Sequence, residues 1–308
     1  MTNNKTTIQA TMGIREWLML LALSILWGGS FFFVEIAVAE LPPLVIVLCR
    51  VGLAALVLWS IILVRGIAVP RGKEVWLAFL GMGLLNNAIP FFLIVWGQQS
   101  IASGLASILN ATTPIFTVVI AHFFLADEQI SARKLAGILI AICGVVILVL
   151  PSIGLSETST LLGQLAILGA TISYGFASVF GRRFKSLGIS PMISSAGQLS
   201  GSTVLLLPFT LTLHSPLNMA MPGTNTLIAI ILLAVACTAF AYLLFFNILS
   251  SAGATNIALV TLLVPVTAVL LGALVLGEKL LASHLMGMAG ISLGLLVLDG
   301  RLLRRKHM

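Results

Sequence analysis

Ten stretches of the chain run apolar for about twenty residues each, separated by short polar or proline-containing breaks. They fall at roughly 17–38, 43–64, 75–97, 100–125 and 134–151, then 160–181, 190–212, 225–248, 253–276 and 281–299. A helix rises ~1.5 Å per residue, so about twenty apolar residues cross the ~30 Å hydrocarbon layer of a bilayer. The pattern predicts an all-α integral membrane protein of ten transmembrane helices joined by short loops. No stretch reads as a soluble domain or a low-complexity linker.

Composition agrees. The chain is 59% hydrophobic and 8% charged, too little charge to cover a soluble protein of this size. The placement of the 16 Lys and Arg residues then sets orientation. With the N-terminus inside, Lys5, Arg15, Arg65, Arg71, Lys73, Arg133, Lys134, Arg182, Arg183, Lys185, Arg301, Arg304, Arg305 and Lys306 all fall inside. Lys279 alone falls outside, and Arg50 alone lies within a span. Basic loops are retained in the cytoplasm, so this bias predicts N-in, C-in topology. The net charge of +7 is thereby a topology and lipid-headgroup signal, and no nucleic-acid partner is expected. Lys5 and Arg15 before an apolar run, with Ala37-Val38-Ala39 after it, imitate a signal peptide. The run is longer than a signal-peptide core, so it is read as a retained span. Cys49, Cys143 and Cys237 lie in apolar spans without paired spacing and read as small hydrophobes.

The two halves match each other. Pro114 is followed by Glu128, Gly137 and Gly144, and Pro265 by Glu278, Gly287 and Gly294, with the same Glu-to-Gly-to-Gly spacing. Trp27-Gly28 aligns with Tyr174-Gly175, and Pro43 and Arg50 align with Pro191 and Gln198. Five spans per copy is an odd number, so the second copy enters the membrane inverted. The predicted organisation is a cytoplasmic N-terminal segment (1–16), a first repeat (17–151), an external linker (152–159), a second repeat (160–299) and a basic cytoplasmic tail (300–308). Inverted repeats commonly underlie secondary carriers, because exchanging conformations between halves exchanges inward- and outward-open states.

On Leu26-Trp27-Gly28-Gly29-Ser30, Arg50, Ala111-Thr112-Thr113-Pro114 and the doubled Glu–Gly–Gly pattern, the chain resembles an EamA-type member of the drug/metabolite transporter superfamily. The resemblance runs over nearly the full length. It implies ten helices around a central cavity and export of small metabolites or drugs across a bacterial inner membrane.

Arg50 is the sharpest single signal, because an Arg inside a span costs about 2.5–3.5 kcal/mol on insertion scales and must face protein or water. It is either the contact for a substrate carboxylate or a structural tie to helix carbonyls or to Glu35. Glu35 is either a gate or proton site or an interfacial carboxylate, and Glu40 reads as solvated. The cavity candidates are Trp27, Arg50, Asn86, Asn87, Asn110, Tyr174, Gln198 and Tyr242. Each amide among them has the alternative role of joining helices. Pro114 and Pro265 are expected to break their helices, with neighbouring hydroxyls or amides answering the freed carbonyls. Gly137, Gly144, Gly287 and Gly294 read as smooth faces for helix contact.

No metal-ligand spacing, phosphate-binding glycine loop or paired intramembrane aspartates occur, so no cofactor, ATP drive or enzyme is expected. The predicted function is a secondary transporter, an exporter of amino acids or similar zwitterionic solutes. The alternatives are a cationic-drug efflux carrier and a non-transporting scaffold or sensor. The expected partners are a small-molecule solute and the lipid bilayer, with the chain as monomer or homodimer.

Overall fold

The computed structural model describes residues 13–153, 158–214 and 219–299. In it ten helices stand where the apolar stretches place them. The first repeat holds α1 (Ile14–Val38), α2 (Pro43–Val64), α3 (Lys73–Gly97), α4 (Ser103–Phe124) and α5 (Ala132–Ile153). The second holds α6 (Thr158–Gly181), α7 (Pro191–His214), α8 (Thr224–Gly253), α9 (Val260–Val275) and α10 (Ala282–Asp299). Among the described residues there is no strand. The tail 300–308, most of the N-terminal segment and residues 154–157 of the linker lie outside the described residues.

Bounds agree with expectation to within three residues except where α8 runs on to Gly253 and α9 begins at Val260. α1 starts three residues earlier than its apolar run, because the Glu16 carboxylate reaches back to the Gly13 amide at 3.0 Å and caps the first turn. α9 starts later than predicted. Gly253 has φ 80°, a left-handed backbone open to glycine, and isolates a short helical turn before Val260.

The repeats pack as inverted copies. On α5 and α10, Gly137 lies against Gly294 and Leu298, while Gly144 lies against Gly287 and Ile291. Numbers rise along one helix as they fall along the other, so the repeat mates run antiparallel. The α2–α7 pair does the same, with Gly52 beside Thr203 and the Trp59 indole donating to Ser200 Oγ at 2.8 Å. Lipid is as apolar as leucine, so association rests on close van der Waals contact rather than on burial from water. One apolar cluster unites α4, α5, α9 and α10, including Ile108, Leu148 and Ile291. A second unites α2, α3, α7 and α8, including Leu58, Phe79, Leu199 and Leu233. α1 contributes to both.

The α5–α10 contact has no slack. A Cβ on Gly144 would meet the Ile291 amide nitrogen at 2.7 Å and the Gly287 carbonyl at 2.8 Å, and neither can swing aside. Gly144→Val is expected to push the two helices apart at a cost of about 1–3 kcal/mol. Thermal unfolding in detergent, followed by size-exclusion chromatography, reads the outcome; an unchanged Tm would contradict the contact.

Candidate solute cavity

The cavity is positioned by two local departures from α-helix. In α3, Leu84–Ala88 is a π-helical turn that follows 11 residues of α-helix. In α8, Val235–Phe240 is another, again after 11 residues of α-helix. Such turns are rare and concentrate at functional sites. Their appearance at the same place in both repeats ties them to the inverted symmetry.

Each bulge frees backbone carbonyls, and named side chains answer them. The Ile89 amide reaches back five residues to Leu84 O. The next residue, Pro90, has no N–H to give Leu85 O, so Ser173 Oγ on α6 donates to it at 2.7 Å. Ser202 Oγ on α7 donates to Gly83 O at 2.9 Å. In α8 the Thr238 hydroxyl donates to Leu233 O at 2.8 Å.

Thr238 also accepts from Arg50 Nε at 3.0 Å, which is the only hydrogen bond the Arg50 side chain makes among the described residues. The guanidinium lies over the Phe91 ring, 3.7 Å from its centroid. Arg50 is 6% exposed, and no carboxylate stands within ion-pair distance of it among the described residues. The tie between Arg50 and Glu35, one of the alternatives open from sequence, is therefore not made.

The other repeat builds the matching corner without the charge. Gln198, the mate of Arg50, accepts at Oε1 from Asn86 Nδ2 at 2.9 Å. The same Asn86 amide donates to Tyr242 Oη at 3.2 Å, and Tyr242 donates to Asn87 Oδ1 at 3.1 Å. One corner is cationic and aromatic, and the other is a neutral amide–phenol network.

Between these corners lies a cavity of about 400 Å³. Its lining residues come from α1–α4 and α6–α9, none from α5 or α10. Of the residues singled out from sequence, Trp27, Arg50, Asn86, Asn110, Tyr174, Gln198, Tyr242 and Pro265 line it. Asn87 does not; it is fully buried behind Tyr242. Trp27 packs at 5.6 Å between ring centroids on Phe245, another lining residue. Asn110 Oδ1 is buried without a hydrogen-bond partner.

Pro114 is not in the lining but shapes it. α4 breaks at Ala111–Thr112, and Thr113 Oγ1 donates at 2.7 Å to Asn110 O, the carbonyl that Pro114 leaves unpaired. This is the local repair expected of a proline inside a span.

Gln98 was not among the residues singled out, because it sits in a polar run just past the end of an apolar stretch. It is buried, lines the cavity's outer end, and donates from Nε2 to Phe31 O at 2.9 Å and Glu35 Oε2 at 3.2 Å. Glu35 is held outside the lining by this bond. Glu35, read from sequence as a gate or proton site or as an interfacial carboxylate, occupies a helix face that meets the end of α3. Glu40 lies in the outer loop and is exposed, as expected. Although exposed, it accepts from the Gly223 amide at 2.6 Å and from Thr226 Oγ1 at 2.9 Å, capping α8. The Gly223 bond, then the Thr226 bond, holds its carboxyl below the usual carboxylate range. Asn247, one of the polar positions of the second half, is exposed and donates to Leu243 O, away from the cavity.

The outer end is shut. Besides the Gln98 contacts, Glu278 beyond α9 accepts from Ser103 N, Ser103 Oγ and Gly104 N at the start of α4, at 2.9, 2.6 and 3.0 Å. The outer part of α4 thus packs on α9, whereas its inner part, Thr113–Phe124, packs chiefly on α6. Asn110, Thr113, Thr261 and Pro265 all contribute to the cavity lining.

A ten-helix membrane protein of two inverted halves enclosing one polar-and-aromatic cavity is a multi-pass transporter, of the kind set in a bacterial inner membrane. The EamA-like transporter family matches residues 15–150 and again 161–298, so the chain belongs to that family. It is 32% identical over 269 residues to the uncharacterized inner membrane transporter YedA of Escherichia coli (strain K12), covering 85% of this chain and 83% of the relative. It is 25% identical over 297 residues to the probable amino-acid metabolite efflux pump of the same organism, covering 93% of this chain and 95% of that one. A crystal structure of a protein at 19% identity superposes with a TM-score of 0.67 over 95% of this chain and 99% of its own, which shows the same fold.

The bulge repair in α3 is testable. Ser173→Ala leaves Leu85 O without a donor and is expected to cost about 1 kcal/mol, read as a lowered Tm in detergent. Ser173→Thr keeps the hydroxyl and is expected to stay near the parent. Equal losses in both variants would mean that Ser173 matters for its size, not its bond.

Proposed function

We propose that the protein is a secondary carrier that exports small organic metabolites, zwitterionic amino acids foremost, by alternating access around the central cavity. The observation that carries this reading is Arg50, a buried cation in the cavity wall with one neutral hydrogen-bond partner and an aromatic face. A buried charge left without a counter-ion is costly, and a solute carboxylate supplies that counter-ion with charge-assisted hydrogen bonds. Asn110 Oδ1 and Gln98 Oε1, both buried without partners, are acceptors suited to an ammonium group. Trp27, Tyr242 and Phe245 offer an apolar wall to the rest of the solute. The cavity volume falls in the range that takes one small metabolite.

Among the described residues no carboxylate lines the cavity, which argues against a cationic drug as solute. The name of the relative called an amino-acid metabolite efflux pump supports the same solute class. The sequence contains no phosphate-binding glycine loop followed by Lys, in keeping with a carrier that does not consume ATP. The Glu278 contact that joins α4 and α9 at the outer end supports reading this arrangement as the inward-facing half of the cycle, ready to load solute from the cytoplasm.

The test is uptake of labelled amino acids and organic cations into liposomes holding the purified protein. A carboxylate-bearing solute is expected to be transported, and Arg50→Ala to lower its rate at least about tenfold, the loss of one charge-assisted contact. Arg50→Lys restores charge without the planar fork and is expected to fall between. Size-exclusion profiles confirm that the variants fold. Transport of cations alone, or full carboxylate transport by folded Arg50→Ala, would overturn the reading.

A further inference from the structure

We propose that the repeat-related glutamates Glu278 and Glu128 are the latches of the two gates, and that Arg182, by holding Glu128 off its seat, keeps the outer face shut at rest. The proposal rests on the alternating-access reading above.

Glu278 is a closed latch. Its carboxylate spans the start of α4, taking two backbone amides and a hydroxyl from Ser103 and Gly104. Amides in the first turn of a helix have no intrahelical acceptor, and the positive end of the helix dipole favours an anion there. The seat is shaped for it. A Cβ on Gly104 would come within 3.2 Å of Glu278 Oε2, and one on Gly272 would collide with the carboxylate outright. The Glu278 amide donates to Gly272 O at 3.0 Å, fixing the latch to the end of α9. This contact joins the outer ends of α4 and α9, which flank the cavity; α4 is broken at Ala111–Thr112, whereas α9, against expectation, runs unbroken through Pro265.

Glu128 holds the same place after α4, by the Glu–Gly–Gly spacing shared with Glu278. Yet it is not seated. Its carboxylate accepts from Arg182 Nη2 at 2.9 Å and from Lys134 Nζ at 3.4 Å, in a half-exposed cluster. The residues that align with Ser103-Gly104 are Ala254-Thr255, directly after the kink at Gly253. In the outward-facing state the repeats exchange conformations. Glu128 then takes the backbone amides after Gly253, and Glu278 leaves Ser103 and Gly104.

The two latches differ in what receives them on release. Counting on equally from Trp27-Gly28 and Tyr174-Gly175, Arg182 aligns with Glu35. A released Glu128 meets a cation, as it does here. Glu278 has no such cation to receive it: Glu35 is a like charge, and it already lies within electrostatic reach of Glu278 in the seated position. Opening outward is therefore opposed by the amide seat of Glu278 and by the Arg182 clamp on Glu128, and the inward-facing state is the resting one. Asp127 shares Arg182, at 2.9 and 2.7 Å, and the guanidinium holds its carboxyl below the usual range, so the clamp is already charged at neutral pH.

The experiment uses the full chain in right-side-out vesicles, with Cys49, Cys143 and Cys237 replaced by Ala and one reporter cysteine. Val34→Cys reports the outer part of the cavity to an impermeant maleimide added outside. Ser178→Cys, probed in inside-out vesicles, reports the inner part. Glu278→Ala is expected to raise the outer-to-inner labelling ratio roughly tenfold, the loss of about one charge-assisted contact, and Arg182→Ala to raise it by a smaller factor of about two to five, as befits an exposed pair. Glu128→Ala is expected to lower it, because the exposed pair it gives up is worth less than the amide seat it loses. A merely structural role would move all three in one direction. A rise with Glu128→Ala, or no rise with the exposed Arg182→Ala, overturns the latches while leaving alternating access intact. Labelling of Val34→Cys that never changes, in any variant or with solute, overturns both.

Discussion

Every backbone group that leaves the helical ladder inside a bilayer needs a partner from the protein, because no water is there to provide one. That constraint organises the centre of this molecule. The π-turns in α3 and α8 and the proline break in α4 release carbonyls, and Ser173, Ser202, Thr238 and Thr113 are placed to answer them. The repairing side chains are also what hold the helices in register across the repeat boundary. Ser173 and Ser202 belong to the second repeat and serve α3 of the first. The π-turns and the proline break all border the cavity, so the demands of hydrogen bonding and of solute binding fall on the same few turns.

Arg50 depends on this arrangement. Its fixed partner is the hydroxyl that repairs the α8 bulge, and its aromatic support, Phe91, follows the α3 bulge by one turn. Gln198, its mate in the other repeat, lies in an equivalent setting and is neutral. A symmetric scaffold thus carries an asymmetric site, with charge at one corner and an amide–phenol network at the other. The same scaffold carries asymmetric ends: a carboxylate seated on amides outside, and a carboxylate clamped by a guanidinium inside.

Much of this was legible along the chain. Helix number and approximate bounds follow from the apolar period, and orientation follows from the basic loops. The inverted repeat follows from the Glu–Gly–Gly spacing and the paired prolines. The glycines on α5 and α10 could be read as contact faces because nothing else explains glycine at that spacing in a helix exposed to lipid. Among polar positions, residues inside an apolar run stood out because their burial is costly, and most of those singled out line the cavity. Gln98 escaped because it lies where apolar stretch gives way to loop, and a polar residue there costs nothing on sequence alone. Asn87 was placed in the lining for a related reason. A hydropathy pattern gives depth in the membrane but not the face of the helix.

The sequence by itself determined the solvent of this protein, its ten crossings, its orientation and its internal duplication, because those depend on hydrophobicity and charge summed over whole segments. Tertiary structure alone decided which partner each polar group takes: Arg50 with Thr238 rather than Glu35, Glu35 with Gln98, and Glu278 with the start of α4 while Glu128 stays with Arg182. A hydrogen bond depends on a few tenths of an ångström and on angle, between residues that the chain separates by up to nearly two hundred positions. Only the packed arrangement of the helices sets those distances.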